Sequence, residues 1–216
     1  MTVDTGDAAL PGDLAIGPEA SGVVLFAHGS GSSRHSPRNR AVADALNTTG
    51  FGTLLIDLLT EEEGGDLTPG AGPRFDIPLL TRRLTATVDW LGGDADTAGS
   101  PIGLFGSSTG AAAAIGTAAD RPREVGAVVC RGGRVDLAAD RLPEVDAPVL
   151  MLAGSADPPI VRISFEAVER LHVPGHVHLV PDATHLFEEP GALEQVTGAA
   201  MTWFRDHLAA TPPPAG

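Results

Sequence analysis

Six short apolar runs, alternating with stretches of helical spacing, constrain this 216-residue chain more than any other feature. The runs are Val23–Ala27, Thr53–Leu58, Ile102–Phe105, Ala127–Cys130, Val149–Leu152 and His176–Val180. Each is mostly β-branched or aliphatic and is flanked by Gly, Pro or Asp. Near-continuous apolar strands suit a parallel sheet covered on both faces. The helical stretches are Pro37–Thr48, Ile77–Leu91, Thr109–Ala119, Ile160–Leu171 and Gly191–Leu208; in the second, Leu80, Leu84, Val88 and Leu91 share one face. Strand and helix in alternation predict an α/β fold: a single domain with a mostly parallel central sheet, helices on both faces and right-handed crossovers.

The expected boundaries are residues 1–20 as an N-terminal edge segment adding one or two antiparallel strands, 21–210 as the α/β domain, and 211–216 as a disordered tail. Glu61–Pro73 and Gly92–Ser100 read as loops. No lid domain is expected. Counting Arg131 but not Pro148, only 17 residues separate the two, too few for a helical cap.

Composition narrows the function. The net charge is −14, from 28 acids against 14 bases, and every base is an arginine. An acidic surface repels phosphate backbones, so no nucleic-acid partner is expected. No apolar run approaches the ~20 residues that span a bilayer, and the N-terminus lacks a basic start followed by an apolar stretch. A soluble cytoplasmic protein without a membrane partner is the expectation; oligomeric state is not legible. A single cysteine, Cys130, excludes an internal disulfide and a multi-cysteine metal cluster. At the end of an apolar strand it reads as a small buried hydrophobe.

The pattern that carries chemistry is Gly106-Ser107-Ser108-Thr109-Gly110. It matches G-x-S-x-G on Ser108, with a strand before it and a small-residue run, Ala111–Ala114, after it. That is the strand-to-helix setting of a nucleophile elbow; the competing reading is an ordinary Gly/Ser helix cap. A serine hydroxyl needs a base that is itself held in place. In this architecture the order is nucleophile, acid, histidine. Asp157 follows one strand in Gly154-Ser155-Ala156-Asp157, and His185 follows the next in Pro181-Asp182-Ala183-Thr184-His185. If the strands are parallel, both reach the same sheet edge as Ser108. Asp182 is the competing acid. An oxyanion hole needs two aimed N–H donors. The expected ones are the amides of Thr109 and of Ser30, in the loop His28-Gly29-Ser30-Gly31-Ser32-Ser33, with Gly29 or Gly31 as alternatives to Ser30. His28 reads as a structural hydrogen-bonder. The loop is no phosphate-binding loop, because it lacks the Gly-Lys-Ser/Thr ending.

These stretches, together with Arg131-Gly132-Gly133-Arg134 and Ala183-Thr184-His185-Leu186-Phe187, resemble the α/β-hydrolase superfamily, in its dienelactone hydrolase-like branch, from about Ser21 to Leu208. The resemblance implies a Ser108–His185–Asp157 triad and no cofactor. Founding members of that branch use a cysteine nucleophile and an acidic residue in the loop after their first core strand. This chain has a serine and lacks that acid, which favours plain ester hydrolysis over a dienelactone substrate.

The remaining polar residues divide between function and structure. Arg131 and Arg134, in a Gly-Gly loop near the expected mouth, are candidates for holding an acidic substrate group, against structural pairing with Asp136 or Asp140. Arg34, His35 and Arg38 read as a solvated helix start. His172, His176 and His178 lack a carboxylate at ligand spacing, so no metal site is expected. Phe75, Leu67 and Leu186 are candidate apolar walls of an open pocket. The function expected is a serine hydrolase cleaving small or exposed carboxylic esters through an acyl-enzyme. The alternatives are an acyltransferase, thioesterase or lactone hydrolase with the same residues, or a catalytically silent binding or scaffold protein.

Overall fold

The computed structural model describes residues 1–65 and 72–208. Eight strands form one sheet: β1 (Thr2–Asp4), β2 (Ala9–Ala15), β3 (Val23–Ala27), β4 (Gly52–Ile56), β5 (Ile102–Ser107), β6 (Val125–Arg131), β7 (Val149–Gly154) and β8 (Gly175–Val180). Their order is β1-β2-β4-β3-β5-β6-β7-β8. The hairpin β1–β2 pairs antiparallel onto β4, and every later neighbour is parallel. The Gly- and Pro-broken N-terminal segment therefore supplies two antiparallel edge strands.

Among the described residues six α-helices accompany the sheet: α1 (Pro37–Thr48), α2 (Glu61–Gly64), α3 (Ile77–Gly93), α4 (Thr109–Asp120), α5 (Pro158–Val168) and α6 (Ala192–His207). The all-apolar strands have a two-residue alternation hidden in them. Val23, Leu25 and Ala27 of β3 face the core under α3, α4 and α5. Val24 and Phe26 face the core under α1 and α6, where Phe26 meets Phe105 with ring centroids 4.9 Å apart. Covering on both faces is why polar residues are nearly absent from these strands. β8 departs from that expectation. It closes the sheet at its edge, and of its residues only Val180 is fully buried, so histidines are tolerated there.

The acidic stretch after Thr60 is not wholly loop. The Thr60 hydroxyl accepts from the Glu63 amide while the Glu63 carboxylate accepts from the Thr60 amide, a capping box that holds α2 as a single turn. Between Arg131 and Val149 lie only two short 3₁₀ turns, Val135–Ala138 and Leu142–Glu144. Among the described residues no helix is long and apolar enough to cross a membrane.

The chain runs from β3 outward to β4 and then crosses back to place β5 on the other side of β3. The reversal leaves a crevice beyond the carboxyl ends of β3 and β5, where Ala27 pairs with Gly106. Ligands of open α/β sheets bind at such a switch point.

Candidate active site

At that crevice β5 turns into α4 through Ser108, which has φ 51° and ψ −119°. A non-glycine residue there is strained by about 1–3 kcal/mol. Ser108 holds it because its backbone is bound on both sides. Its amide donates to the Arg131 carbonyl at 3.1 Å, and its carbonyl accepts from the Ala111 and Arg134 amides at 3.1 and 3.0 Å. The flanking glycines permit the approach. A Cβ on Gly106 would lie 2.5 Å from Ala111 Cα, and one on Gly110 would run into the carbonyl oxygens of Ala27 and His28. Ser108 occupies the N-cap position of α4 but makes no side-chain cap bond. The hydroxyl is thus left to the cavity, unlike that of an ordinary capping serine.

Asp157 is likewise an N-cap residue, of α5, that does not cap. Pro158 and Pro159 open the helix, so only the Ile160 amide at its third position is there for a cap, and Asp157 does not take it. Its carboxylate turns instead to His185, whose Nδ1–H donates to Asp157 Oδ2 at 2.7 Å. This bond fixes the tautomer and leaves Nε2 as an acceptor. The Asp157 side chain is 14% exposed and that of His185 is 41% exposed, so the pair is anchored inside with its working nitrogen at the surface. The loops after β7 and β8 are laced together: the Ala156 amide donates to the Ala183 carbonyl at 3.0 Å, and the Asp182 amide to Ser155 Oγ at 2.8 Å. Asp182 itself is exposed and makes no bond to the imidazole among the described residues.

Ser108 and His185 line one cavity of about 230 Å³, together with Ser30, Arg38, Arg131 and Leu186. Among the described residues neither the Ser30 amide nor the Thr109 amide donates to another protein group, so both remain available as donors. The loop that carries Ser30 is braced by His28. The Leu58 amide donates to His28 Nε2 at 3.0 Å, and His28 Nδ1–H donates to the Gly29 carbonyl at 2.9 Å. Burial holds this imidazole below its ordinary pKa, hence neutral. Leu186 is the apolar wall. Phe75 does not line this cavity, and Leu67 lies outside the described residues. A larger cavity of about 690 Å³ opens on the other side of the Ser30 loop, toward Asp57, Glu61 and Arg74.

The two arginines expected near the mouth separate. Arg134 is paired through both nitrogens with Asp136, at 2.8 and 2.9 Å. Arg131 is the last residue of β6, only 9% exposed, and bonds to Ser107 Oγ and Asn39 Oδ1. Asn39 was not singled out by sequence. Arg38 reads there as part of a solvated helix start, yet it bridges to Glu188, beyond His185, at 2.8 Å. The available signal is its place in the first turn of α1, where a cation opposes the helix dipole. Burial pushes the Cys130 thiol up to about 12, which makes it inert. Among the described residues no three His, Cys, Asp or Glu side chains gather as a metal site.

The sheet order, the strained turn at Ser108 and the histidine loop after the last strand define an α/β-hydrolase fold. The Dienelactone hydrolase family profile matches residues 14–208. The chain belongs to that family. A crystal structure of dienelactone hydrolase from Anabaena variabilis superposes with a TM-score of 0.93 at 49% identity, covering 96% of each chain. Est1E from Butyrivibrio proteoclasticus with bound ferulic acid superposes with a TM-score of 0.80 at 18% identity, covering 96% of this chain and 98% of that one, a likeness of fold. Two Mycobacterium tuberculosis proteins named "Putative phosphoribosyl transferase" are 49% identical over the whole of this chain. The chain spans 48% of their length, about half of the curated relatives it matches.

Proposed function

We propose that this chain hydrolyses carboxylic esters with Ser108 as nucleophile. The observation that carries the reading is the 2.7 Å Asp157–His185 bond in a cavity shared with the strained, uncapped Ser108. Membership of the family supports hydrolase chemistry.

The steps follow from the groups present. His185 Nε2 removes the Ser108 hydroxyl proton as Oγ attacks the ester carbonyl carbon. The negative charge that develops on the carbonyl oxygen is met by the Ser30 and Thr109 amides at the positive end of α4. Asp157 stabilises the imidazolium. The tetrahedral adduct collapses, the C–O bond to the alcohol breaks, and His185 gives the alcohol its proton. A water then repeats the sequence on the acyl-Ser108 ester and releases the acid. No step requires a cofactor.

A lactone is an internal ester and would pass through the same steps. The Anabaena variabilis structure, named for a dienelactone hydrolase, favours this as a second reading. The transferase named for the mycobacterial relatives belongs to chains about twice as long; we assign hydrolysis to the part this chain covers. A fluorophosphonate should label Ser108 alone, as read by peptide mapping, and Ser108→Ala should lose both label and turnover. Folded wild-type protein that takes no label on Ser108 defeats the reading.

A further inference from the structure

Two arginines of the described residues are buried, Arg83 and Arg131. Arg83 is met by Glu63 Oε1 and Oε2 at 2.9 and 2.6 Å and by Asp7 at 3.1 Å. Arg131 has no carboxylate within 4 Å among the described residues. Burial and the nearby Arg38 push its guanidinium down to about 10, which leaves it charged at neutral pH. An ion taken out of water without a counter-ion is destabilising, and replacing buried ionic groups by apolar residues of similar volume is often neutral or stabilising. Stability of the fold is therefore a poor account of why a cation stands there. Its contacts give a better one.

Arg131 stands opposite Ser107 across the β5–β6 ladder. Its Nε and Nη2 both donate to Ser107 Oγ, at 3.3 and 3.1 Å, and Nη2 also donates to Asn39 Oδ1 at 3.2 Å. The Ser107 hydroxyl donates in turn to Asn39 Oδ1 at 3.2 Å. Arg131, Ser107 and Asn39 are 9%, 3% and 2% exposed. The ring of bonds is closed. It uses the hydrogen and both lone pairs of Ser107 Oγ and both lone pairs of Asn39 Oδ1. A buried network whose oxygens are all filled specifies one arrangement. Here it ties the residue directly before Ser108 to β6 and to α1.

The same arginine reaches the other two arms of the site. Its Cζ lies 6.0 Å from the ring centroid of Phe187, two positions after His185. Phe187 is 2% exposed and holds φ 55°, a strained value for an aromatic residue, so the histidine loop is pinned where that ring is buried. The Arg131 carbonyl accepts from the Ser108 amide at 3.1 Å, and the Gly132 amide donates at 2.9 Å to the Leu152 carbonyl, on the strand that leads to Asp157. Gly132, at φ 56°, passes so near the base that a Cβ on it would lie 3.4 Å from His185 Cε1.

We propose that Arg131 is a positioning residue, the donor of a buried Arg131–Ser107–Asn39 clamp that holds the nucleophile turn and the histidine loop in register. In this role it acts through Ser107 and Phe187 and not on the substrate. The role rests on the ester-hydrolase reading above. The fork of the guanidinium is what the clamp requires. A lysine has the same charge on a single nitrogen and cannot reproduce a two-nitrogen grip on Ser107 Oγ.

The test measures kcat and KM on p-nitrophenyl acetate per active site, with sites counted by exhaustive fluorophosphonate labelling read as intact mass. Arg131→Met should lower kcat per site by about tenfold or more, as a ~1 Å displacement at a reacting atom allows, with KM within about twofold of wild type. Arg131→Lys should do the same, because charge alone does not rebuild the grip. The Tm of Arg131→Met should lie within about 3 °C of wild type or above it. Ser107→Ala should also lower kcat per site, and the double variant should be no slower than the slower single one, since both remove one clamp. Independently of turnover, amide exchange read by mass spectrometry should quicken about fivefold or more over residues 105–112 and 183–190 of Arg131→Met and stay unchanged over 158–168. A lowered Tm with kcat per site within about threefold of wild type would show support of the fold alone and overturn the clamp. Unchanged exchange over both segments overturns it as well. Should wild type take no label on Ser108, the ester-hydrolase reading fails, and the exchange comparison by itself decides the clamp. Should Arg131→Met fail to fold, Ser107→Ala decides: kcat per site and exchange both equal to wild type overturn the proposal.

Discussion

Asp157 and Asp182 both precede or follow strands near His185, and only side-chain geometry distinguishes them. Asp157 stands 2.7 Å from the imidazole, while Asp182 is exposed and donates its own amide to Ser155. Losing the carboxylate that holds the tautomer costs roughly 10³–10⁴ in kcat in a triad of this kind. Asp157→Asn is therefore expected to lower kcat on p-nitrophenyl acetate by about that factor with its circular dichroism unchanged, whereas Asp182→Asn stays within about twofold of wild type. The opposite pattern would transfer the acid role. Local sequence carries Ser108 and His185 through their loops. The partner of Arg131 is not legible that way: Asn39 lies 92 positions earlier and Ser107 24 positions earlier.

At the scale of elements, the elbow depends on how closely α4 packs under β3. Gly110 sits where a methyl group would meet two carbonyl oxygens. Backbone cannot move aside as a side-chain tip can, so Gly110→Ala should cost about 3 kcal/mol or more, read as a shift of the urea midpoint, with hydrolysis lost alongside. A midpoint equal to wild type would mean that the strand and helix do not approach this closely. Periodicity made α1, α3, α4 and α6 readable to within one or two residues. It failed at α2, whose four residues are too few for any period; there the Thr60–Glu63 capping box was the readable mark. β8 differs from its neighbours in carrying His176 and His178, but its place at the edge of the sheet is a matter of topology.

Over the whole molecule, Arg83 ties the N-terminal hairpin, α2 and the end of β4 to α3, through Asp7, Glu63 and the Leu58 carbonyl. Arg83 holds the Glu63 carboxyl down at about 2, from an ordinary 4.5. Because the folded value is the lower one, the stabilisation is full above about pH 4.5 and is lost as pH falls toward 2. Glu63→Gln should thus lower the denaturant midpoint clearly at pH 7, and the gap to wild type should narrow steadily between pH 4.5 and 2. A gap that stays constant over that range would show that the ionised pair is not what Glu63 contributes.

Apolar period, strand length and turn residues are local properties, and they were enough to specify a parallel α/β sheet, its elbow serine and the loops that bear an acid and a histidine. Which strand lies at the edge, which of two aspartates meets the imidazole, and which arginine is left buried without a counter-ion were decided only by folding. Those are relations between residues distant in the chain. Their energies depend on burial and on the direction of a side chain, and neither exists until the sheet has closed around them.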